Sequence, residues 1–234
     1  MNELLNLGFT NIEGINLNKD LAKVAGLYAD VFAGAPWNEY TQCPGCSEFF
    51  GLETNPGEAC KCCNGTLSLA YPKEKTEKYI LKENSNPGST FFVAREGSQI
   101  VGFAWGYKYD SASEFSSQKY KTDEMRKRIE NLLLYSGLNK SFFYFSECGV
   151  SEDQRGKGLS NILFEQVVKN NYPLIMRTNC KSPMTAVAQR YRMKQIMGPE
   201  IKIDRTKKLI LPLENFINGC YDLEIEERVL FLLK

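Results

Sequence analysis

The chain predicts an α/β protein with a central sheet flanked by helices, and three observations carry that expectation. The first lies in Ser141–Asn171, where Phe142, Phe143, Tyr144 and Phe145 place aromatic residues on both faces of one strand, as in a strand covered on both sides. The second lies just after that strand: Arg155-Gly156-Lys157-Gly158 leads into an amphipathic helix with Leu159, Ile162, Leu163 and Val167 near helical spacing. The third is the succession of strand-like and helix-like stretches elsewhere, broken between Trp37 and Pro72 by a cysteine-rich run.

A strand that feeds a helix through Arg155-Gly156-Lys157-Gly158 is an anion site. The first amides of a helix lack intrahelical acceptors and lie at the positive end of its dipole. Gly156 and Gly158 let a phosphate approach them, and Arg155 and Lys157 add charge. Two familiar phosphate loops fail on spacing. A Walker loop needs four residues between its Gly and Gly-Lys-Ser/Thr, whereas six separate Gly149 from Gly156 and Gly158 stands where the hydroxyl belongs. A dinucleotide fingerprint needs a Gly where Asn161 stands and an acidic residue about twenty positions on, where Arg177-Thr178-Asn179-Cys180 is found.

The run Arg155-Gly156-Lys157-Gly158-Leu159-Ser160 resembles the coenzyme A motif of the GNAT superfamily of N-acetyltransferases, Gln/Arg-x-x-Gly-x-Gly/Ala, with Val150 ending the preceding strand. Ser160 departs from the final Gly or Ala, a small-for-small change. The resemblance implies a GNAT fold, acetyl-CoA as cosubstrate and direct transfer of its acetyl group to an amine acceptor. It covers nearly the whole chain outside two additions, so the expected organisation is a single domain over 1–234 with insertions at 38–71 and 111–140.

The 234 residues, 43% of them hydrophobic, suffice for one substantial core. With 29 basic and 28 acidic residues the net charge is +1, and nothing calls for nucleic acid or an anionic membrane. No apolar run reaches the ~20 residues of a membrane span, and MNELLNLGF lacks a signal pattern, so a cytoplasmic location is expected. In that compartment the sequons at Asn64 and Asn139 carry no meaning. There is no histidine, which excludes every His-based triad, base or ligand. The oligomeric state is left open, a homodimer included.

In chain order, Phe9 to Leu17 alternates as a first strand; Asn18 or Asp20 then precedes a helix bearing Leu21, Val24, Tyr28, Val31 and Phe32, stopped by Gly34-Ala35-Pro36. In the resemblance this region borders the acceptor, which makes Trp37 and Glu39 candidate contacts against the plainer reading of core anchor and surface carboxylate. Cys43-Pro44-Gly45-Cys46 and Cys60-Lys61-Cys62-Cys63 are two knuckles whose separation, thirteen residues, suits a four-thiolate structural Zn²⁺ site of Cys43, Cys46, Cys60 and Cys63, with Cys62 the rival for the last place. Disulfides and an iron–sulfur cluster are the weaker alternatives. Pro72–Glu83 reads as a charged helix, and Thr90–Arg95 with Gln99–Tyr109 as a hairpin about Glu96-Gly97-Ser98. Met125, Ile129, Leu132 and Leu133 mark one helix face in the second addition. Beyond the motif, Leu174–Met176 is a short strand, a helix runs from Ser182 to about Met193, and Ile201–Asp204, Leu209–Leu213 and Arg228–Leu233 close the sheet.

Acetyl transfer needs a base for the ammonium, a polarised carbonyl and a proton for the thiolate. Without histidine, Glu147 is the base candidate: it lies in the aromatic strand on the side of Phe143, Phe145 and Gly149, against the plainer reading of a strand-end ion pair. The resemblance implies Tyr191 as general acid, although Gln195-Ile196 replaces the family's Gly-Phe. Backbone amides around Cys148 to Val150 would polarise the carbonyl, Gly149 would mark a bulge there, and Asn179 would contact the pantetheine arm. Cys148 as an acyl carrier is the lesser alternative; Cys180 and Cys220 have no evident partner. A rival to the enzyme reading is a non-catalytic acyl-CoA sensor or protein-interaction module built on the cysteine insertion. Nucleic-acid binding is disfavoured there, because Lys61 is the insertion's one basic residue beside Glu48, Glu53 and Glu58.

Overall fold

A computed structural model describes residues 11–204, 209–217 and 228–234. Phe9, where the first strand was expected to start, and Cys220 lie outside the described residues. The elements run β1 (Asn11–Gly14), α1 (Leu17–Ala33), β2 (Thr41–Gln42), β3 (Phe49–Phe50), β4 (Ser68–Leu69), α2 (Lys73–Asn84), β5 (Thr90–Glu96) and β6 (Gln99–Tyr109). Then come α3 (Ala112–Lys119), α4 (Asp123–Tyr135), β7 (Phe142–Val150), α5 (Leu159–Val168), β8 (Leu174–Asn179), α6 (Met184–Arg190) and β9 to β12 (Lys194–Met197, Pro199–Asp204, Leu209–Phe216, Arg228–Leu233).

The chain divides into two compact units. The first gathers the chain up to Ser85 with Phe91–Ala104 and Glu147–Phe164; the second gathers Asn86–Thr90, Trp105–Ser146 and the chain from Glu165 on. In the first, the sheet order is β1-β5-β6-β7, and in the second β6-β7-β8-β12-β9, with β6 and β7 giving residues to both. The sheet is mixed: β7 and β8 are parallel, Phe143 opposite Leu174 and Phe145 opposite Met176, while β12 is antiparallel to both β8 and β9. The aromatic strand is thus interior, as its two apolar faces require, and Phe142, Phe143, Tyr144 and Phe145 are all buried.

Helix α1 starts earlier than the Asn18 or Asp20 cap would place it. Asn16 is the capping residue without a side-chain bond, and its amide donates to Asp20 Oδ2 at 3.1 Å. Asp20 is 0% exposed because the same oxygen accepts from Arg95 Nη2 at 2.7 Å, while Arg95 Nε reaches Glu13 at 2.5 Å. What reads as a polar cap is a buried ion pair that ties α1 to β5. Val24, Ala25, Tyr28, Val31 and Phe32 give α1 its buried face, each large side chain contributing about 1.5–3 kcal/mol.

The addition at 111–140 holds two helices, and the face marked by Met125, Ile129, Leu132 and Leu133 belongs to α4. Ser111 Oγ accepts from the Glu114 amide, Thr122 Oγ1 accepts from that of Met125, and Tyr120 is extended at φ −127°, ψ 141°, which breaks the run. Met125, Ile129 and Leu133 are buried with Phe115, Phe142 and Tyr144, and Leu132 packs against them. Helix α6 ends at Arg190, short of Met193, because Arg192 takes φ 55° and the chain turns into β9, a strand the sequence pattern did not mark.

The Asp20 pair sets an acid limit on stability. Burial alone would raise the Asp20 carboxyl, but the Arg95 guanidinium and the Asn16 amide bring it below the usual aspartate range. A folded value below the unfolded one means stability that is full above the unfolded value and lost as pH falls through the folded one. Asp20→Asn should cost about 3 kcal/mol at neutral pH, since it removes the buried carboxylate that faces Arg95 Nη2. Urea titration from pH 7 to 3 should give a flatter stability curve for the variant than for the wild type.

Candidate active site and thiolate centre

Glu147 lies in β7 and is half-buried. Two phenols from the helices of the first unit converge on it: Tyr79 of α2 donates to Glu147 Oε1 at 2.9 Å, and Tyr28 of α1 donates to the same oxygen at 3.4 Å. Burial first, and then the Glu147 charge, pushes both phenols far above the ordinary tyrosine range, so both keep their protons at neutral pH. Two donors on one oxygen fix where the carboxyl group points. Neither tyrosine was marked as a site residue in the sequence; the available signal was Tyr28 on the apolar face of α1, since a buried phenol needs a partner.

Gly149 explains how Tyr28 is aimed. A Cβ on Gly149 would lie 2.3 Å from the Phe103 ring, so only glycine admits that ring. Phe103 in turn stacks on Tyr28 with centroids 5.8 Å apart at 20°. The glycine therefore serves packing. Cys148 has its thiol pushed up to about 12 by burial, then by the Glu147 charge, and such a thiol is no nucleophile at neutral pH.

After Val150 a short turn at Glu152–Gln154 leads to the glycine motif. Gly156 and Gly158 have φ 79° and 82°, in the left-handed region, with no protein atom closer than 4.0 Å to a Cβ on either. Both are required by backbone conformation, and the space beside them is open. Among the described residues the amides of 156–160 donate to no protein acceptor; the first α5 bonds run from Asn161 and Ile162 to the Gly158 carbonyl. Arg155 Nε donates to the Val150 carbonyl at 3.3 Å, and Lys157 Nζ to Gln154 Oε1 at 2.7 Å, so both side chains brace the turn and the amides are left for an anion. The Leu159 side chain is buried against Gly102, where a Cβ would sit 3.1 Å from Leu159 Cδ2; Leu159 offers only its amide. Ser160 is half-buried in the first turn.

Two expected residues belong to the second unit. Tyr191 caps the C-terminus of α6, and its hydroxyl donates to the Glu165 carboxylate. Burial and then Glu165 raise that hydroxyl above the tyrosine range, so it is protonated at neutral pH. Asn179 ends β8 and is buried; its Oδ1 accepts from the Lys181 amide at 2.8 Å, which shapes the turn before α6.

The cysteine insertion forms a three-stranded sheet, β3-β2-β4, and its two knuckles repeat one geometry. The Ser47 amide bonds the Cys43 carbonyl and the Asn64 amide the Cys60 carbonyl, and Ser47 and Asn64 share φ values of 64° and 59°. The sulfurs of Cys43, Cys46, Cys60 and Cys63 lie within 4.8 Å of one another, all as free thiols. Tetrahedral zinc with ~2.3 Å bonds spaces its sulfurs at about 3.8 Å, so the set fits. Cys63 joins it and Cys62 is exposed, its amide donating to Cys60 Sγ at 3.4 Å. Burial would raise Cys60, but the amides of Cys62 and Cys63 bring it down to about 6, the thiolate form a metal takes.

The insertion also sets two residues at the foot of its stem. The Tyr40 amide bonds the Phe50 carbonyl and the Ala70 amide bonds the Tyr40 carbonyl, closing the stem. Glu39 and Tyr71 stand just outside that stem, and the Tyr71 hydroxyl donates to the Glu39 carboxylate. Trp37 packs on Phe32 at 5.2 Å.

Residues 61–170 match the model of the acetyltransferase (GNAT) family. A search of curated proteins finds no match. Among solved structures, the chain is similar to the polyamine N-acetyltransferase of Drosophila melanogaster, with a TM-score of 0.50 and 13% identity over 95% of this chain and 98% of that one. It is also similar to Arabidopsis thaliana NAA60 in complex with acetyl-CoA (TM-score 0.49, 12% identity, 95% and 97% covered) and to arylalkylamine N-acetyltransferase 2 of Aedes aegypti (0.48, 16%, 96% and 97%). The fold is the GNAT fold, a mixed sheet flanked by helices, and the family's sequence pattern runs through β5, β6, β7 and the glycine motif.

If the Gly149 void positions Phe103 and Tyr28, filling it should be felt. Gly149→Ala is expected to cost about 1–3 kcal/mol by overpacking. Adding Phe103→Leu should recover part of the loss in urea denaturation.

Proposed function

We propose that the chain is an N-acetyltransferase that binds acetyl-CoA through the amides of 156–160 and transfers the acetyl group directly to an amine, with Glu147 as base. The observation that carries this reading is the carboxylate of Glu147 under two phenol donors, in the same unit as an open, left-handed glycine turn with unsatisfied amides. The pyrophosphate of the cosubstrate would take those amides, with Arg155, Lys157, Leu159 and Ser160 shaping the turn, Cys148 and Val150 flanking the acyl group and Asn179 beside the pantetheine arm.

An alkylammonium, with a pKa near ~10.4, arrives protonated. Glu147 takes one proton, directly or through water; the nitrogen lone pair forms the N–C bond to the thioester carbonyl, and the backbone amides around Cys148 to Val150 hold the developing oxyanion. Collapse breaks the C–S bond, the nitrogen gives up its second proton to water, and the departing thiolate takes the Tyr191 proton once the bond to Glu165 is exchanged. Tyr191 then recovers a proton from water.

Acetyl-CoA titration by calorimetry should show binding that Gly158→Trp weakens at least tenfold. Glu147→Gln should keep that binding and lower kcat by about 10²-fold or more, and Tyr191→Phe should lower kcat with binding unchanged. Absence of wild-type binding at millimolar ligand would end the reading.

We assign the four sulfurs of Cys43, Cys46, Cys60 and Cys63 to a structural zinc. A closed four-thiolate site has no open position, so it orders the insertion and takes no part in the transfer, with a binding energy on the order of 10 kcal/mol. One zinc per chain is expected by elemental analysis, lost in Cys63→Ser and kept in Cys62→Ser. A second reading, in which this insertion is a contact surface for another protein, is favoured by the exposure of Phe49, Leu52 and Leu69 on it. Under that reading Glu147→Gln would leave function intact.

A further inference from the structure

We infer that Glu39 is a specificity-determining residue of the acceptor site, and that the acceptor is an alkylamine carrying a second cationic group. The inference rests on Glu147 as the place of the reacting nitrogen and asks what lies within a short chain's reach of it. Tyr28, whose hydroxyl meets Glu147, packs edge-on against Tyr71 with centroids 5.1 Å apart at 80°. Tyr71 donates its hydroxyl to Glu39, and its ring packs on Phe32, which carries Trp37 on its other contact. One run of rings therefore joins two carboxylates, Glu147 at one end and Glu39 at the other.

Such a run suits a molecule with a charge at each end and an apolar middle. Rings attract a nearby ammonium through their quadrupole, carboxylates attract it by charge, and a methylene chain packs on the ring bodies. Trp37, Glu39, Tyr71, Tyr79 and Glu147 are half-buried, whereas Tyr28 and Phe32 are buried, so a ligand would meet Trp37, Tyr71 and Tyr79 with the two buried rings backing them. The charges that act most on Tyr28 and Tyr79 come from Glu147, Glu39 and Glu83, all negative.

Glu39 is also held in place, which an ordinary surface glutamate is not. Its amide donates to the Phe32 carbonyl at 2.9 Å, its carboxylate takes the Tyr71 hydroxyl, and the closed stem of the thiolate insertion joins the two residues from behind. The knuckles thus act on acceptor choice through position, with no contact to the reacting atoms.

The test is equilibrium binding of 1,4-diaminobutane, spermidine and butylamine to the full zinc-loaded chain in the presence of coenzyme A, for wild type, Glu39→Gln and Tyr71→Phe. Wild type should bind at least one of the two polyamines tenfold or more tighter than butylamine. Glu39→Gln should erase that difference while butylamine affinity stays within about twofold, and Tyr71→Phe should reduce it, with coenzyme A binding unchanged in both. Equal affinity of all three amines for wild type, no binding of any, or an equal loss for all in Glu39→Gln overturns the inference. Turnover of butylamine in parallel separates the two readings: acetylation without polyamine preference sinks the role of Glu39 alone, whereas polyamine preference without any acetylation sinks the transferase reading.

Discussion

The missing side chain at Gly149 is the constraint on which the candidate site depends. It opens room in β7 for the Phe103 ring, that ring gives Tyr28 a face to stack on, and Tyr28 then reaches Glu147 two residues before the glycine. A strand buried on both sides would ordinarily be filled by bulky residues, as Phe142 to Phe145 are. Here one position is emptied so that a neighbouring strand can bring its aromatic ring in beside Tyr28. The carboxylate takes two phenol donors, and each phenol is held by the packing of its own ring.

Two different physical devices fix the two ends of the proposed chemistry. At the cosubstrate end, Gly156 and Gly158 hold backbone amides in a conformation other residues rarely adopt, and the positive side chains Arg155 and Lys157 are spent on bracing the turn. At the acceptor end, four thiols do the ordering, because β2, β3 and β4 are each two residues long and could not hold a stem alone. The first device is conformational, the second is a closed ring of ligands.

Much of this was legible in the sequence for reasons that can be named. The aromatic strand, the glycine turn and the helix after it are local patterns, and local patterns survive folding: β7 and α5 lie where periodicity puts them. Cys43, Cys46, Cys60 and Cys63 were legible because knuckle spacing is itself a geometric demand, and their sulfurs converge. What stayed hidden depends on contacts distant in sequence. Asp20 reads as a helix cap and is instead the buried partner of Arg95, 75 residues away. Tyr28 and Tyr79 reach Glu147 across 119 and 68 residues, a meeting no spacing rule contains. The short helix α3, ended by the extended Tyr120, carries no long apolar stripe to mark it, and β9 was too short to show alternation.

The closed stem of the cysteine insertion has a further consequence. Because Tyr40 and Ala70 are bonded to each other, the chain leaves the body of the protein and returns to it at one point, like a branch grafted on a trunk. A tight turn could bridge the same two residues, so an ancestor could have lost or gained this branch in one genetic step without repacking the sheet. Glu39 and Tyr71 are the graft junction. A lineage could then exchange the branch while β5, β6, β7 and the glycine turn are inherited unchanged.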